Sequence, residues 1–398
     1  MKITICTEAR FTRTPDGAVW SEDGIRYDFW SRYLRVFERV EVVARVRQGL
    51  VTSAAARRVD GPDVSFQDLP YYVGPLEFLK SAHVLSVRLR AVLCDAEAII
   101  LRAPGNISGM ALKYLQPTKR PFAVEVVGDP YDVFAPGTIR HPLRRYFRWL
   151  ETRRLKKACS AALGAAYVTD HALQVRYPNT RYSTSYSSID LADDYFVSAP
   201  RASFGEKGSF NLVFIGSLAQ MYKAPDVLLL AVAGCRGQGL DVRLTLIGEG
   251  QYRARMEDLS RELGIQSAVM FTGQLDSMAV REKLIESDLF VLPSRTEGLP
   301  RAMIEAMACA LPCLGTFVGG IPELLVKDDM VESGNAEALT QKICEVLTNH
   351  GRMLEMSRTN LERASHFRRN ILDSRRRDFY SYIAQQTAAK LRSCEAAA

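Results

Sequence analysis

Five short apolar runs stand in the second half of the chain: NLVFIG (211–216), VRLTLIG (242–248), AVMFTG (268–273), DLFVLPS (288–294) and LPCLGT (311–316). Segments of helical length separate them, at 225–236, 251–263, 277–286 and 301–310. A strand with no polar face must be covered on both sides, which a parallel sheet between helical layers achieves and a half-exposed antiparallel sheet does not. The pattern therefore predicts an α/β, doubly wound domain that offers the carboxyl ends of its strands to ligands. The first half repeats the plan with KITIC, VEVVARV (40–46), AIILRA (98–103), FAVEVV (122–127) and AAYVT (165–169). In the segment from Ile25, the residues Phe29, Trp30, Tyr33, Leu34 and Phe37 recur at helical spacing.

At 398 residues the chain exceeds a single domain. The expected division is 1–200 and 201–370, both Rossmann-like and facing across a cleft that would hold the active site, with the polar stretch 198–210 as linker. The segment 371–398 is expected to be a helix, rich in arginine, packing back on the N-terminal domain.

Composition removes several classes. With 47% hydrophobic and 24% charged residues the chain is neither disordered nor fibrous. The apolar stretch 306–322 contains Pro312, Gly315, Gly319, Gly320 and Pro322, so it is not a spanning helix. The N-terminus meets Glu8 and Arg10 before a signal-peptide core could form, and a cytoplasmic protein is expected. The eight cysteines are scattered through apolar segments and read as buried, reduced thiols. The net charge of +7 is confined to residues 1–200, which carry 28 Lys+Arg against 21 Asp+Glu, while the second half carries 24 of each. An anionic partner for the first half follows.

Chemistry concentrates in SRTEGLPRAMIEAMA (294–308). A strand ends at Ser294, a Gly/Pro loop carries Glu297, and a helix starting near Arg301 carries Glu305. Amide groups at such a helix start can bind a phosphate, and an acid at each end of the turn suits the hydroxyls of two sugars flanking a diphosphate. Two glutamates at this spacing are also common on surface helices.

This segment resembles the E-x7-E motif of family 4 glycosyltransferases, retaining enzymes of the GT-B fold. The resemblance extends over about 211–345, through NLVFIGSLAQMYKAPDVLLLA, LTLIGEG, VMFTGQL, DLFVLPSRTEGLPRAMIEAMA and VGGIPEL in the family's order. It implies that Glu297 contacts hydroxyls of the donor sugar, that Glu305 holds the nucleotide's ribose, and that Lys223 neutralises the departing diphosphate. The loop Gly298, Leu299, Pro300 and Arg301 would supply backbone donors. No protein nucleophile is implied, because the leaving phosphate takes the acceptor's proton on the side from which it departs.

Two positions depart from the family pattern. Its common arginine is Ser217 here, and its N-terminal histidine is replaced by Gly128-Asp129-Pro130. Asp129 is the candidate polar group facing the sugar, or else an Asp-Pro turn former. In the first βα loop, Gly24 is the candidate for close backbone approach to the donor phosphates. Gly248-Glu249-Gly250 lacks the remainder of a dinucleotide fingerprint.

The basic excess has a visible source. Residues 140–157 hold eight Lys+Arg against Glu151, among them Arg144, Arg145, Arg148, Arg153 and Arg154, interleaved with Tyr146, Phe147 and Trp149. Such a helix can lie on an anionic membrane or be an ordinary solvated helix, and Lys80, Arg88 and Arg90 around the apolar run 78–93 extend the patch. No nucleic-acid motif accompanies the charge. The expected protein is a metal-independent, retaining glycosyltransferase using a nucleotide sugar, a UDP-sugar ahead of GDP-mannose. It would extend a lipid-linked saccharide in surface or exopolysaccharide assembly, peripheral on the inner face of the plasma membrane. A soluble acceptor, or a catalytically silent sugar-nucleotide-binding protein, are the alternatives.

Overall fold

The computed structural model describes residues 1–22, 25–51, 56–134, 141–205 and 208–395. The chain divides into two units, one comprising 1–128, 149–186 and 373–398, the other 129–148 and 187–372. The second unit thus begins before the expected 200/201 boundary. The stretch read as a linker is tied down instead: the Arg201 guanidinium donates to the carbonyls of Leu284 (2.7 Å) and Ser287, and its amide donates to Ser357 Oγ (2.9 Å). Carbonyls at a helix C-terminus have no partner within the helix, and a guanidinium is well suited to satisfy them.

In the first unit, β1 (Lys2–Arg13) is paired on both sides by parallel neighbours, β3 (Arg39–Gln48) and β6 (Ala98–Ala103). Beyond β3 lies β5 (Val64–Leu69), and beyond β6 lie β7 (Ala123–Val126), β8 (Ala165–Tyr167) and β9 (Ser183–Ser185), all parallel. Two short antiparallel strands, β2 (Val19–Ser21) and β4 (Arg57–Arg58), extend the far end of β1. Strands β2, β4, β5 and β9 carry no continuous apolar run, and the periodicity did not mark them.

Helices α2 (Gly74–Cys94), α3 (Asn106–Thr118) and α5 (Arg144–Ala161) connect these strands, with the short helices α1 (Tyr27–Ser31), α4 (Pro130–Val133) and α6 (Ala172–Arg176) between them. The aromatic segment is not one long helix: α1 tightens into a 3₁₀ turn over Arg32–Arg35. Trp30 on α1 and Tyr33 in the 3₁₀ turn are both fully buried.

The second unit holds a parallel sheet in the order β12-β11-β10-β13-β14-β15. Its strands are β10 (Ser209–Ile215), β11 (Asp241–Ile247), β12 (Val269–Gly273), β13 (Leu289–Val291), β14 (Cys313–Thr316) and β15 (Met330–Val331). Helices α7 (Pro225–Gly237), α8 (Arg253–Glu262), α9 (Ser277–Glu286) and α10 (Arg301–Ala308) fall where the sequence pattern places them. Then follow α11 (Ile321–Leu324), α12 (Ala336–Leu347), α13 (His350–Ser365) and α14 (Arg369–Glu395). Both sheets have the doubly wound order, so α/β with two Rossmann-like parallel sheets is the architecture.

From Asp373 onward α14 packs within the first unit around a buried carboxylate. Glu125 on β7 is 2% exposed and accepts from the hydroxyls of Tyr33 (2.8 Å), Tyr186 (2.9 Å) and Tyr380 (3.3 Å), while Arg102 pairs with its other oxygen. Tyr33 and Tyr380 also stack, with centroids 4.5 Å apart, and Arg35 pairs with Asp373 at 2.6 Å. Burial by itself would raise the Glu125 carboxyl, but Arg102, Arg32 and the tyrosine hydroxyls outweigh it and hold the group below the usual range. Its stabilising contribution is therefore present above the unfolded carboxyl's value and lost as pH falls through the depressed one. Among the described thiols Cys6, Cys159, Cys235, Cys309 and Cys313 are buried as expected, while Cys94 is exposed and Cys344 half-buried.

Removing one member of so buried a cluster strands the others. Glu125→Ala should cost about 3–5 kcal/mol, read as a fall in melting temperature, because Arg102 and three hydroxyls lose their acceptor. Replacement of the exposed Glu38 should leave the melting temperature close to that of the wild type.

Candidate active site

In the second unit the strand order reverses between β10 and β13, so the loops that follow these two strands part in opposite directions and leave a crevice at their carboxyl ends. Lys223 stands in the first loop and Glu297 in the second. Their side chains meet, Lys223 Nζ to Glu297 Oε1 at 2.8 Å, with only 14% and 8% of each exposed. Ser294 Oγ donates to the same Oε1 at 2.8 Å. One carboxylate is thus held by a cation and a hydroxyl at the point where an α/β sheet admits ligands.

Glycines bring the loops close enough for this. At Gly248 (φ +147°) a Cβ would lie 1.9 Å from the Gly216 carbonyl oxygen, and at Gly250 (φ +155°) 2.1 Å from the Ala219 nitrogen. The Gly-Glu-Gly run therefore packs the β11 loop onto the β10 loop, a structural use that needs no cofactor. Across the site, Gly319 (φ +53°) lets its backbone approach Glu297, where a Cβ would stand 2.0 Å from the carbonyl oxygen, and Gly320 N–H donates to the Gly298 carbonyl at 2.6 Å.

Arg295, which sequence reasoning passed over, joins the two loops. Its guanidinium pairs with Asp226 (2.8 and 3.0 Å) and donates to the Met221 carbonyl (2.8 Å), and its amide donates to the Tyr222 carbonyl at 2.6 Å. The residue lies inside the motif from Ser294 to Ala308, but nothing in the sequence pairs it with Asp226.

Glu305 lies one turn into α10. No side chain caps the start of this helix at Pro300, which leaves backbone donors beside Arg301. The Glu305 carboxyl is raised to about 7 by burial, with Arg301 and Lys223 pulling the other way. Among the described residues none hydrogen-bonds to it. Nearby, the Tyr195 hydroxyl is buried and has no hydrogen-bond partner among the described residues, and burial together with the Glu305 charge pushes its pKa up. A half-buried carboxyl without a donor, near an unsatisfied buried hydroxyl, is an arrangement that a polar ligand completes. Tyr195 had no sequence signal beyond being one aromatic among several.

The remaining candidates separate. Ser217 uses its hydroxyl to accept the Ala219 N–H at 3.2 Å, a turn bond. Leu299 is half-buried and Pro300 buried, so they shape the loop that leads into α10. Asp129 heads α4, accepting the Tyr131 N–H at 2.9 Å in the manner of an Asp-Pro turn former. Gly24 lies outside the described residues, as does Arg140. The cationic run is divided: Arg144 donates to the Phe134 carbonyl (3.3 Å), Arg148 to the Tyr131 carbonyl (2.8 Å), and Arg154 pairs with Glu151 at 2.5 Å. Arg145 and Arg153 are exposed, as are Trp149, Lys156 and Lys157. Part of the expected patch is therefore structural, because guanidinium groups near a loop find its carbonyls.

Two Rossmann-like parallel sheets, with a carboxylate–lysine pair at the switch point of the second, define an α/β protein of the GT-B type. A solved structure of Anabaena Alr3699/HepE, in complex with UDP and glucose, aligns over 99% of this chain and 100% of its own with a TM-score of 0.65 at 17% identity, a likeness of fold. Residues 209–349 match the family described as glycosyl transferases group 1, and the chain is a glycosyltransferase with a domain of that family. Staphylococcus aureus protein CapJ is 24% identical over 80% of each chain. The putative colanic acid biosynthesis glycosyltransferase WcaL of Escherichia coli K12 is 34% identical over 29% of this chain, and the match spans about a third (32%) of WcaL.

Since burial raises Glu305 in the folded protein, the stabilising effect of its neutral form is complete below about 4.5 and is lost as pH rises through about 7. Glu305→Gln should melt like the wild type near pH 5 and above it at pH 8, by up to about 3 kcal/mol. Equal melting temperatures at pH 8 would place the carboxyl in a wetter setting.

Proposed function

We propose that this glycosyltransferase is a retaining enzyme that moves a hexose from a nucleotide sugar onto a hydroxyl of a lipid-linked saccharide in surface or exopolysaccharide assembly. The observation that carries the reading is the Lys223–Glu297 pair beside the half-buried Glu305 carboxyl and the uncapped start of α10. Between them these groups offer a cation for a diphosphate, amides for its oxygens, and two acids for sugar hydroxyls. The polysaccharide setting draws on the name of WcaL, and the preference for a UDP-sugar over GDP-mannose on the UDP-bound HepE structure.

In the transfer, the bond between the sugar's anomeric carbon and the diphosphate oxygen breaks, and a bond to the acceptor oxygen forms. Charge accumulates on the departing phosphate. Lys223 and the α10 amides are fixed in advance near that charge, and preorganised electrostatics of this kind is usually the largest catalytic contribution. The acceptor's proton passes to the leaving phosphate, so no protein nucleophile is needed. Glu297 orients the sugar, and Glu305 holds the ribose. Loading the nucleotide supplies hydrogen bonds to a carboxyl that accepts none from the described residues, which offsets the cost of its partial burial.

The two glutamates should separate kinetically. Glu297→Ala is expected to lower kcat by about tenfold or more with nucleotide affinity largely kept, while Glu305→Ala weakens the nucleotide itself. Calorimetry giving wild-type affinity for Glu305→Ala would remove the ribose assignment.

Lys223→Ala should weaken the nucleoside diphosphate by ten- to a hundredfold, about 1.5–3 kcal/mol, and the nucleoside far less. Full turnover should survive EDTA, since Lys223 and the helix amides neutralise the leaving group. Loss in EDTA with recovery in Mg²⁺ or Mn²⁺ would overturn that part. Thermal shifts against UDP, GDP and ADP name the base, because a ligand that binds only the native state raises the melting temperature.

The membrane side of the reading rests on the exposed Arg153, Lys156, Lys157 and Trp149 of α5, whose cations suit anionic headgroups. Among the described residues no helix is long and apolar enough to cross a membrane.

A further inference from the structure

Helices α7 and α12 of the second unit pack so closely that Gly234 has no room for a side chain. A Cβ there would stand 2.7 Å from Thr340 Oγ1, which itself donates to the Ala231 carbonyl across the interface at 3.3 Å. One turn further along both helices Cys235 faces Cys344, and their sulfurs lie 3.6 Å apart. Both contacts advance by four residues on each helix, so the two run side by side in the same direction. Among the described residues no other two thiols hydrogen-bond to each other.

We propose that Cys235 and Cys344 form an oxidation site, a dithiol that a peroxide converts reversibly into a disulfide joining α7 to α12. Neither residue belongs to the ligand site, and the proposal does not rest on the donor and acceptor readings above. The two sulfurs are unequal. Cys235 is fully buried, whereas Cys344 is half-buried and is the one a small oxidant reaches from outside. Burial, with Cys344 adding to it, pushes the Cys235 thiol up, and a thiol held protonated is inert toward oxidants in solution. Cys344 therefore reacts first and Cys235 resolves.

In the first step the Cys344 sulfur attacks one oxygen of hydrogen peroxide. The O–O bond breaks, an S–O bond forms, and the second oxygen leaves as water with the thiol's proton. The Cys235 sulfur then attacks the sulfenic sulfur. The S–S bond forms, the S–O bond breaks, and the hydroxide departs as water with the Cys235 proton. Two thiols have lost two electrons, and the peroxide has become two waters. A disulfide holds its sulfurs about 2.0 Å apart, so the gap has to close by roughly 1.5 Å, within reach of side-chain rotation on two adjacent helices.

Metal binding fits the pair less well, because among the described residues no group of three or more His, Cys, Asp or Glu side chains could hold an ion. The bond would join positions 109 residues apart, a long loop whose closure restricts the unfolded chain strongly. It would also couple two helices whose first turns adjoin the site. Asp226 at the start of α7 pairs with Arg295, and Ser333, shortly before α12, donates to the Ser294 carbonyl at 3.1 Å.

The test treats the full wild-type chain with a few equivalents of hydrogen peroxide, blocks the remaining thiols, and maps the monomer fraction by mass spectrometry. Two of the eight thiols should disappear into a peptide that links Cys235 to Cys344, and dithiothreitol should restore both. The oxidised chain should melt about 5 °C or more above the reduced one. Cys344→Ser should keep Cys235 reduced under the same treatment and show no such rise. Cys235→Ser should leave Cys344 as a sulfenic acid that dimedone captures. The wild-type measurement stands even where a serine variant fails to fold.

Survival of both thiols in the wild type would make the pair core packing and nothing more. Oxidation of Cys344 alone to the sulfinic acid would show that Cys235 does not resolve, and would overturn the site. A linked peptide accompanied by a fall in melting temperature would do the same, since the bond would then form only by distorting the native interface. Oxidation of Cys235 in Cys344→Ser would overturn the assigned order of attack.

Discussion

Everything that can be called a site in this protein depends on the way a parallel sheet has to be closed. Each strand must be followed by a crossover to the far end of its neighbour, and those crossovers have one hand. A sheet extended from its middle in both directions therefore sends two successive crossovers to opposite faces. Between β10 and β13 this leaves the two loops apart at the carboxyl ends of their strands. The Lys223–Glu297 pair, the Arg295 link to Asp226 and the close glycine contacts are all ways of fixing loops that the topology has already separated.

Two glutamates, Glu125 buried and Glu305 half-buried, show how differently the fold treats charge. Glu125 is surrounded by donors, and its charged form is the favoured one. That cluster consolidates structure, binding α14 to the first unit's sheet through Tyr380 while the same oxygen serves Tyr33 and Tyr186. Glu305 is half-buried, none of the described residues donates to its carboxyl, and burial raises it to about 7. A fold optimised only for stability would not keep a carboxyl in that state. The contrast separates a group that holds the protein together from one that waits for a partner.

The arginines divide in the same way. Arg201, Arg144, Arg148 and Arg295 spend their guanidinium groups on carbonyls at loop and helix ends, work that a planar fork of donors does well. Exposed Arg153, Lys156 and Lys157 leave their charge to the solvent side. Counting basic residues along a segment cannot distinguish these uses, because both produce the same run of letters.

How much was legible in the sequence follows from the range of the forces involved. Continuous apolar runs report burial on both faces, so β6, β10, β11 and β13 and the helices α7 and α9 could be placed from local pattern, and the motif from Ser294 to Ala308 brought Glu297 and Glu305 into view. Strands such as β5 and β9 were not marked, because their residues alternate or are polar and their identity comes from neighbours distant in the chain. The same limit hid Arg295 with Asp226, Tyr195 beside Glu305, and the anchoring of Arg201. The sequence by itself determined the doubly wound class, the charge asymmetry and the loop that carries the two acids, since each is a matter of residue type and short spacing. Only the tertiary structure decided which carboxyl is left without a donor among the described residues, which arginines are already engaged and that α2 has an apolar face turned to solvent, because burial is set by what the rest of the chain lays against a residue.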